Sequence, residues 1–200
     1  STDALDYREK APAAANRDMY LDSLGNVVKG LSTAGHLAAG VPGTVDGMWQ
    51  AHQKYGSLDW NAIIQPAITL AKNGFQLSET EAKRFNGYKE NFEKYSTRPS
   101  VFTSQDSFEI GYNFVQTQLA ETLERIKKQG RDGFYSGKTA VLVVEEMQRG
   151  GGIISNEDLQ NYQAAWRTPI EANYKDYKII SMPPPSSGGV ALVQMLKMIE

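Results

Sequence analysis

The 200 residues carry 21 Lys and Arg against 23 Asp and Glu, a formal net charge of −2, which gives no electrostatic basis for holding nucleic acid or an anionic membrane. With 40% hydrophobic and 22% charged residues, the chain fits one globular domain, or a large piece of one, with enough apolar side chains for a substantial core. There is no cysteine, so disulfides, thiol nucleophiles and cysteine metal sites are excluded together, and no apolar run is long enough to span a bilayer.

The chain opens Ser1-Thr2-Asp3 with neither an initiator methionine nor a signal peptide, and stops at Glu200 inside a helical pattern that lacks a C-cap glycine or proline. Both ends are expected to be cuts through a longer protein. Ala4 and Leu5 lead into Asp6-Tyr7-Arg8-Glu9-Lys10-Ala11-Pro12. Pro12 keeps Ala11 extended, so this segment is predicted to leave a strand and run over the surface. Arg8 lies between Asp6 and Glu9. By its residues alone it reads as a surface arginine in local ion pairs worth about 0–1 kcal/mol each. The other reading is a planar fork held by flanking acids to clamp a substrate carboxylate.

Residues 19–31 read as a surface loop or hairpin turning at Ser23-Leu-Gly25-Asn26. Gly35 to Gly47 predicts a small-residue strand, a Pro42-Gly43 corner, and a helix capped by Thr44 with Val45, Met48, Trp49, His52 and Tyr55 on one face. Its glycines fit neither the dinucleotide fingerprint nor the P-loop, which excludes a nucleotide site. His36 and His52 have no partner at metal-ligand spacing, so both read as packed histidines and no metal is expected.

A second helix opens at Ser57-Leu-Asp59-Trp60 and carries Ile63, Ile64, Ala67, Ile68 and Ala71 to Gly74, with Pro66 predicted to kink or split it. Ser78-Glu-Thr-Glu81 is a capping box for a third helix to about Phe92. Residues 95–106 lose periodicity and are predicted to be a mobile loop, while Tyr88, Phe92 and Tyr95 are predicted to pack on the core. Leu119, Leu123 and Ile126 mark a fourth helix with a basic end before Gly130. Asp132 to Gly137 is a turn, Lys138 to Arg149 a helix stopped by three glycines, and Ser155 to Tyr162 a short capped helix. Residues 165–172 suggest one edge strand tolerating Pro169, followed by a turn and a strand at Tyr177 to Ser181.

Three prolines at 183–185 predict a stiff extended exit. Ser186 and Ser187 then cap a helix that starts on Gly188 and Gly189 and continues from Val190 to Ile199. That helix is apolar almost all round, which predicts burial against a sheet. The glycine pair lets a backbone come close to another strand or to a ligand. Free N–H groups there could hold an anion, although a packed strand-to-helix corner accounts for the same residues. The whole is an α+β pattern, mainly helical with a few strands, most of them near the ends.

The octet Met182-Pro-Pro-Pro-Ser-Ser-Gly-Gly189 resembles a signature of the γ-glutamyltranspeptidases, or glutathione hydrolases. The Asp6-x-Arg8-Glu9-x-Ala-Pro12 run with Arg17-Asp18-Met19-Tyr20, and the Gly40-x-Pro-Gly-Thr44 run, are similar to the same family, whereas residues 78–116 share only its overall style. The resemblance implies a four-layer αββα N-terminal-nucleophile hydrolase fold, of which residues 1–200 supply a partial large-subunit domain. It implies that Arg8 binds the α-carboxylate of a γ-glutamyl substrate. It also implies a self-cleaving precursor and a partner, the small subunit, whose N-terminal threonine attacks the γ-glutamyl amide before water or an amino acid takes the acyl group. No cofactor is implied, and the usual location is periplasmic or secreted.

The family's Thr-Thr-His start and Gly-Gly oxyanion element have no counterpart here, so no catalytic residue is expected in this chain, and Ser186 and Ser187 are not read as nucleophiles. A related amidase on the same scaffold, a cephalosporin acylase or a poly-γ-glutamate depolymerase, would share most of the segment. A non-catalytic helical interaction domain is the alternative of a different class.

Overall fold

The computed structural model describes residues 2–200. β1 (Ala4–Asp6) is followed by a long irregular passage to a 3-10 turn at His36–Ala38. Next come α1 (Thr44–Tyr55), α2 (Trp60–Asn73), β2 (Phe75–Gln76) and α3 (Glu79–Tyr95). A second 3-10 turn at Val101–Thr103 leads to β3 (Asn113–Phe114), α4 (Thr117–Gln129), α5 (Asp132–Tyr135), α6 (Gly137–Gly150) and α7 (Asn156–Asn161). The chain ends with β4 (Ala165–Arg167), β5 (Ile170–Tyr174), β6 (Tyr177–Ser181) and α8 (Gly188–Met198). The strands form three two-stranded antiparallel sheets, β1 with β4, β2 with β3, and β5 with β6. No helix among the described residues is long and apolar enough to cross a membrane.

Two apolar clusters hold the fold. One gathers Val41, Tyr135, Ala140, Val144, Ile154, Leu159 and Tyr162 from the passage before α1 and from the α5–α7 region. The other is built on Leu77, Ala82, Phe108 and Phe114, ringed by Phe75, Phe85 and Phe102. The predicted capping box of α3 is formed in both directions between Ser78 and Glu81, and a second one opens α7 between Ser155 and Asp158. Gly151, in the left-handed region at φ 75°, ends α6 as a glycine at that position should.

Several expectations are corrected. Residues 35–41 form no strand; a 3-10 turn and a single bridge from Lys10 to Val41 take its place. Thr44 is the first helical residue of α1 and not its cap, because the boundary falls at Gly43, where there is no room for a side chain. α2 runs unbroken through Pro66; its buried Ile68 and Ala71 and the Trp60 indole N–H on the Ile126 carbonyl (3.1 Å) hold it in place. α3 extends to Tyr95, and Tyr88 is 59% exposed, not packed. Residues 95–106 are anchored: Phe102 stacks on Phe92 with centroids 4.6 Å apart, and the Thr97 hydroxyl donates to Glu146. Asp132 to Tyr135 is a turn of helix.

The single edge strand expected at 165–172 breaks at Thr168-Pro169 into β4 and β5, which belong to different sheets. A proline there has no N–H to continue either ladder. The prolines turn instead of extending: the Pro184–Pro185 peptide is cis and the Ser186 N–H donates to the Pro183 carbonyl at 3.1 Å, the arrangement of a tight turn with a cis proline in its third place. Neither Ser186 nor Ser187 caps α8 through its side chain. α8 is not buried all round, since Met195 is 57% and Met198 82% exposed. The small β5–β6 hairpin that it packs on covers only one side.

Candidate functional site: an unpaired arginine at a strand end

Where β1 ends, residues 7–9 cross the first turn of α1. A Cβ at Gly43 would overlap the Tyr162 hydroxyl and the Tyr7 carbonyl, and one at Gly47 would overlap the Tyr7 ring. Only glycine lets the two segments approach so closely. The Asp6 carboxylate does not pair with Arg8. It is taken by Arg167, its near neighbour across the β1–β4 ladder, at 2.6 Å to Nη2 and 2.8 Å to Nε. Burial pushes the Asp6 carboxyl up, but Arg167 and the Arg8 backbone N–H outweigh this and hold it below its ordinary value. Among the described residues the Arg8 guanidinium therefore has no ion pair. It lines a cleft of about 330 Å³ with Asp6, Glu9, Thr44, Pro185 and Ser186. Residues 6–9, Thr44, and Met182, Pro185 and Ser186, far apart in sequence, meet there.

Beneath this cleft lies a buried polar network that nothing in the sequence announces. Asp46 is 1% exposed. Its Oδ1 accepts from Arg131 Nε (2.8 Å), and its Oδ2 from Gln50 Nε2 (2.7 Å) and the Ala164 N–H (2.6 Å). Arg131 Nη2 also donates to the carbonyls of Gln160 and Tyr162. The Tyr135 hydroxyl donates to the Pro42 carbonyl at 2.7 Å, and its ring stacks on that of Tyr162. Tyr162, itself buried, donates its hydroxyl to the Arg8 carbonyl at 2.8 Å. Burial, with the nearby Asp46 charge, pushes the Tyr162 phenol up to about 12, so it stays protonated and a donor. The one signal available for Asp46 is a carboxylate in the first turn of a helix, which reads equally well as a surface charge favoured by the helix dipole.

The strand-to-helix corner that ends the chain forms one wall of the cleft. A Cβ at Gly189 would lie 2.5 Å from the Met182 carbonyl and 2.9 Å from Ser181 Oγ, so this glycine serves the packing of α8 on the end of β6. Ser186 faces the Arg8 cleft, whereas Ser187 is exposed. The histidines lie elsewhere. His36 Nε2 is 2.8 Å from Glu146 Oε1. His52 packs against Trp49 and Trp60, and its Nε2 donates to the Leu58 carbonyl at 2.8 Å. No cluster of three metal-ligating side chains occurs among the described residues.

The mixed helical and stranded scaffold superposes closely on solved γ-glutamyltranspeptidases, which have the N-terminal-nucleophile hydrolase fold. A family model described as Gamma-glutamyltranspeptidase matches residues 1–200, and the chain belongs to that family. It is 45% identical over 198 residues to the glutathione hydrolase proenzyme of Pseudomonas sp. (strain A14), covering 98% of this chain and 34% of that protein. It is 43% identical over 202 residues to the proenzyme of the same name from Escherichia coli (strain K12), covering 100% of this chain and 35% of that protein. The chain thus spans about a third of the length of these curated relatives. The crystal structure of Helicobacter pylori γ-glutamyltranspeptidase superposes with a TM-score of 0.90 at 47% identity, over 97% of this chain and 56% of that one. Cephalosporin acylase from Bacillus halodurans, at 23% identity and a TM-score of 0.81, shares the fold alone.

Proposed function

We propose that residues 1–200 are part of the large subunit of an enzyme that cleaves γ-glutamyl amides and passes the γ-glutamyl group to water or to an amino acid. In this reading the chain supplies the carboxylate clamp, and a small subunit outside it supplies the nucleophile. The observation that carries the reading is that Arg8, without an ion pair among the described residues, lines a cleft large enough for an amino-acid head group. A guanidinium fork matches a carboxylate through two parallel N–H···O bonds. With the donor's α-carboxylate held there, its γ-carbonyl projects away from Arg8, toward a threonine hydroxyl of the partner subunit.

The hydroxyl oxygen adds to that carbonyl, the C–N bond breaks, and the amine leaves with a proton taken from the hydroxyl. Water or an incoming amine then breaks the acyl ester and regenerates the threonine. Proenzyme relatives support a precursor that cuts itself to expose that threonine, and the family resemblance alone suggests a periplasmic or secreted location. An intact mass of the native protein tests the partnership, since a smaller polypeptide beginning with threonine must accompany this chain.

Arg8→Lys in the full-length protein tests the clamp. Losing charge-assisted, paired hydrogen bonds costs about 1.5–3 kcal/mol, or about 10- to 150-fold in kcat/KM for γ-glutamyl donors. An Arg8→Lys enzyme that keeps its donor affinity overturns the assignment. The acylase reading predicts that outcome, because its substrates need no α-carboxylate.

A further inference from the structure

We propose that Tyr162 is a positioning residue for Arg8, fixing the backbone from which the clamp reaches into the cleft. This rests on the reading of Arg8 as the clamp. The Arg8 side chain is exposed and has no ion pair among the described residues, so the backbone that carries it is what the protein holds in place. Two bonds hold that backbone. The Arg8 N–H donates to Asp6 Oδ1 at 3.2 Å, a local bond two residues back. The Arg8 carbonyl accepts the Tyr162 hydroxyl at 2.8 Å, a bond across 154 positions.

Tyr162 is well placed to act as a fixed post. Its residue is 2% exposed, its ring lies parallel to Tyr135 with centroids 5.6 Å apart, and its carbonyl is held by Arg131, which is in turn fixed by buried Asp46. Gly43 provides the gap through which the phenol reaches Arg8, because a Cβ there would occupy the hydroxyl's place. The phenol is protonated at any pH at which the enzyme would be assayed, so the bond needs no particular buffer. Packing alone would require a buried tyrosine to find some acceptor. The acceptor that it uses belongs to the residue whose position matters for binding.

The test compares two donors in the full-length, processed enzyme: a γ-glutamyl anilide, and its 4-aminobutanoyl counterpart, which lacks only the α-carboxylate. The quantity read is the ratio of their kcat/KM values. Tyr162→Phe keeps the ring and removes one hydroxyl; it is expected to lower the ratio about fivefold, the value of one ordinary hydrogen bond, mainly through KM for the γ-glutamyl donor. Thermal unfolding of the same Tyr162→Phe protein, run alongside, separates a loss of folding from a change in the ratio. In an Arg8→Ala background Tyr162→Phe should change the ratio no further.

If Tyr162→Phe melts earlier yet keeps the wild-type ratio while Arg8→Ala collapses it, Tyr162 is structural only and the inference is wrong. If Arg8→Ala itself leaves the ratio unchanged, the clamp reading has failed, and this inference with it.

Discussion

Asp46→Ala should be among the most damaging single changes in this chain, and its cost can be built up from the hydrogen bonds that the carboxylate accepts. The carboxylate is 1% exposed and takes three of them, from Arg131, Gln50 and the Ala164 N–H. Without it the buried Ala164 N–H has no acceptor, a penalty of about 1–3 kcal/mol. Arg131 is deprived of its close counter-ion where its side chain is only 21% exposed. Breaking a fully buried pair from one side costs about 3–5 kcal/mol. Arg131 still has two carbonyl acceptors, and the exposed Asp132 at 3.5 Å, which argues for the low end, about 3 kcal/mol. With the Ala164 N–H this makes about 4–6 kcal/mol, and at about 2–4 °C per kcal/mol for a unit of this size the melting temperature falls by about 8–24 °C.

The assay is thermal unfolding of the full-length protein for Asp46→Ala, Arg131→Met and the double variant. The double variant strands no charge, so it should melt above Asp46→Ala alone. A melting point within about 2 °C of wild type for Asp46→Ala, or two losses that simply add, would refute the idea that the two residues act as one unit.

Glu146→Gln tests the brace between α6 and residues 95–106. Burial pushes the Glu146 carboxyl up, but hydrogen bonds from Thr97, His36 and Arg149 prevail and bring it down to about 2. A depressed carboxyl stabilises the fold above its unfolded value of 4.5 and loses that contribution as pH falls toward 2. Wild type should therefore be more stable than Glu146→Gln at neutral pH, with the gap in denaturant midpoint closing through that acid window; a gap independent of pH would contradict the assignment. Gly189→Ala forces a Cβ into the Met182 carbonyl. It should cost about 1–3 kcal/mol by overpacking and raise the donor KM by shifting Pro185 and Ser186. A variant as stable as wild type, with unchanged KM, would mean that the corner neither packs nor shapes the cleft.

Local chemistry makes much of the fold legible. Capping boxes at Ser78 and Ser155, and glycines at 56, 74, 130 and 151, place helix ends to within a few residues because each signal acts over one turn. What stays hidden is long-range. Whether Phe102 stays in a loose loop depends on an aromatic pocket supplied by Phe85, Phe92 and Phe114, two of them on α3 and one on β3. Nothing near residue 102 announces it. The helical pattern of α2 is plain in its apolar spacing, and the helix is not split at Pro66, because packing on α4 outweighs the local cost of one proline.

The site divides along the same line. Arg8 and the Pro-Ser corner can be singled out because their motifs are unusual in composition, but the residues that make Arg8 available cannot. Asp6 and Glu9 beside an arginine suggest local pairing, and that expectation fails for Asp6 because β1 lies antiparallel to β4 and brings Arg167 to the carboxylate. Arg167 holds Asp6 Oδ2 through two N–H groups, while Asp6 Oδ1 accepts the Arg8 backbone N–H and not its guanidinium. The strand pairing thus decides that Arg167 and not Arg8 holds Asp6, which on the proposed reading leaves Arg8 to the substrate. Exchanging the charges of Asp6 and Arg167 would keep that pair and leave Arg8 free, whereas removing Arg167 alone would release Asp6 to compete with a substrate carboxylate for Arg8. A kinetic penalty on γ-glutamyl donors from Arg167→Ala, relieved by a further Asp6→Ala change, is the signature of that competition.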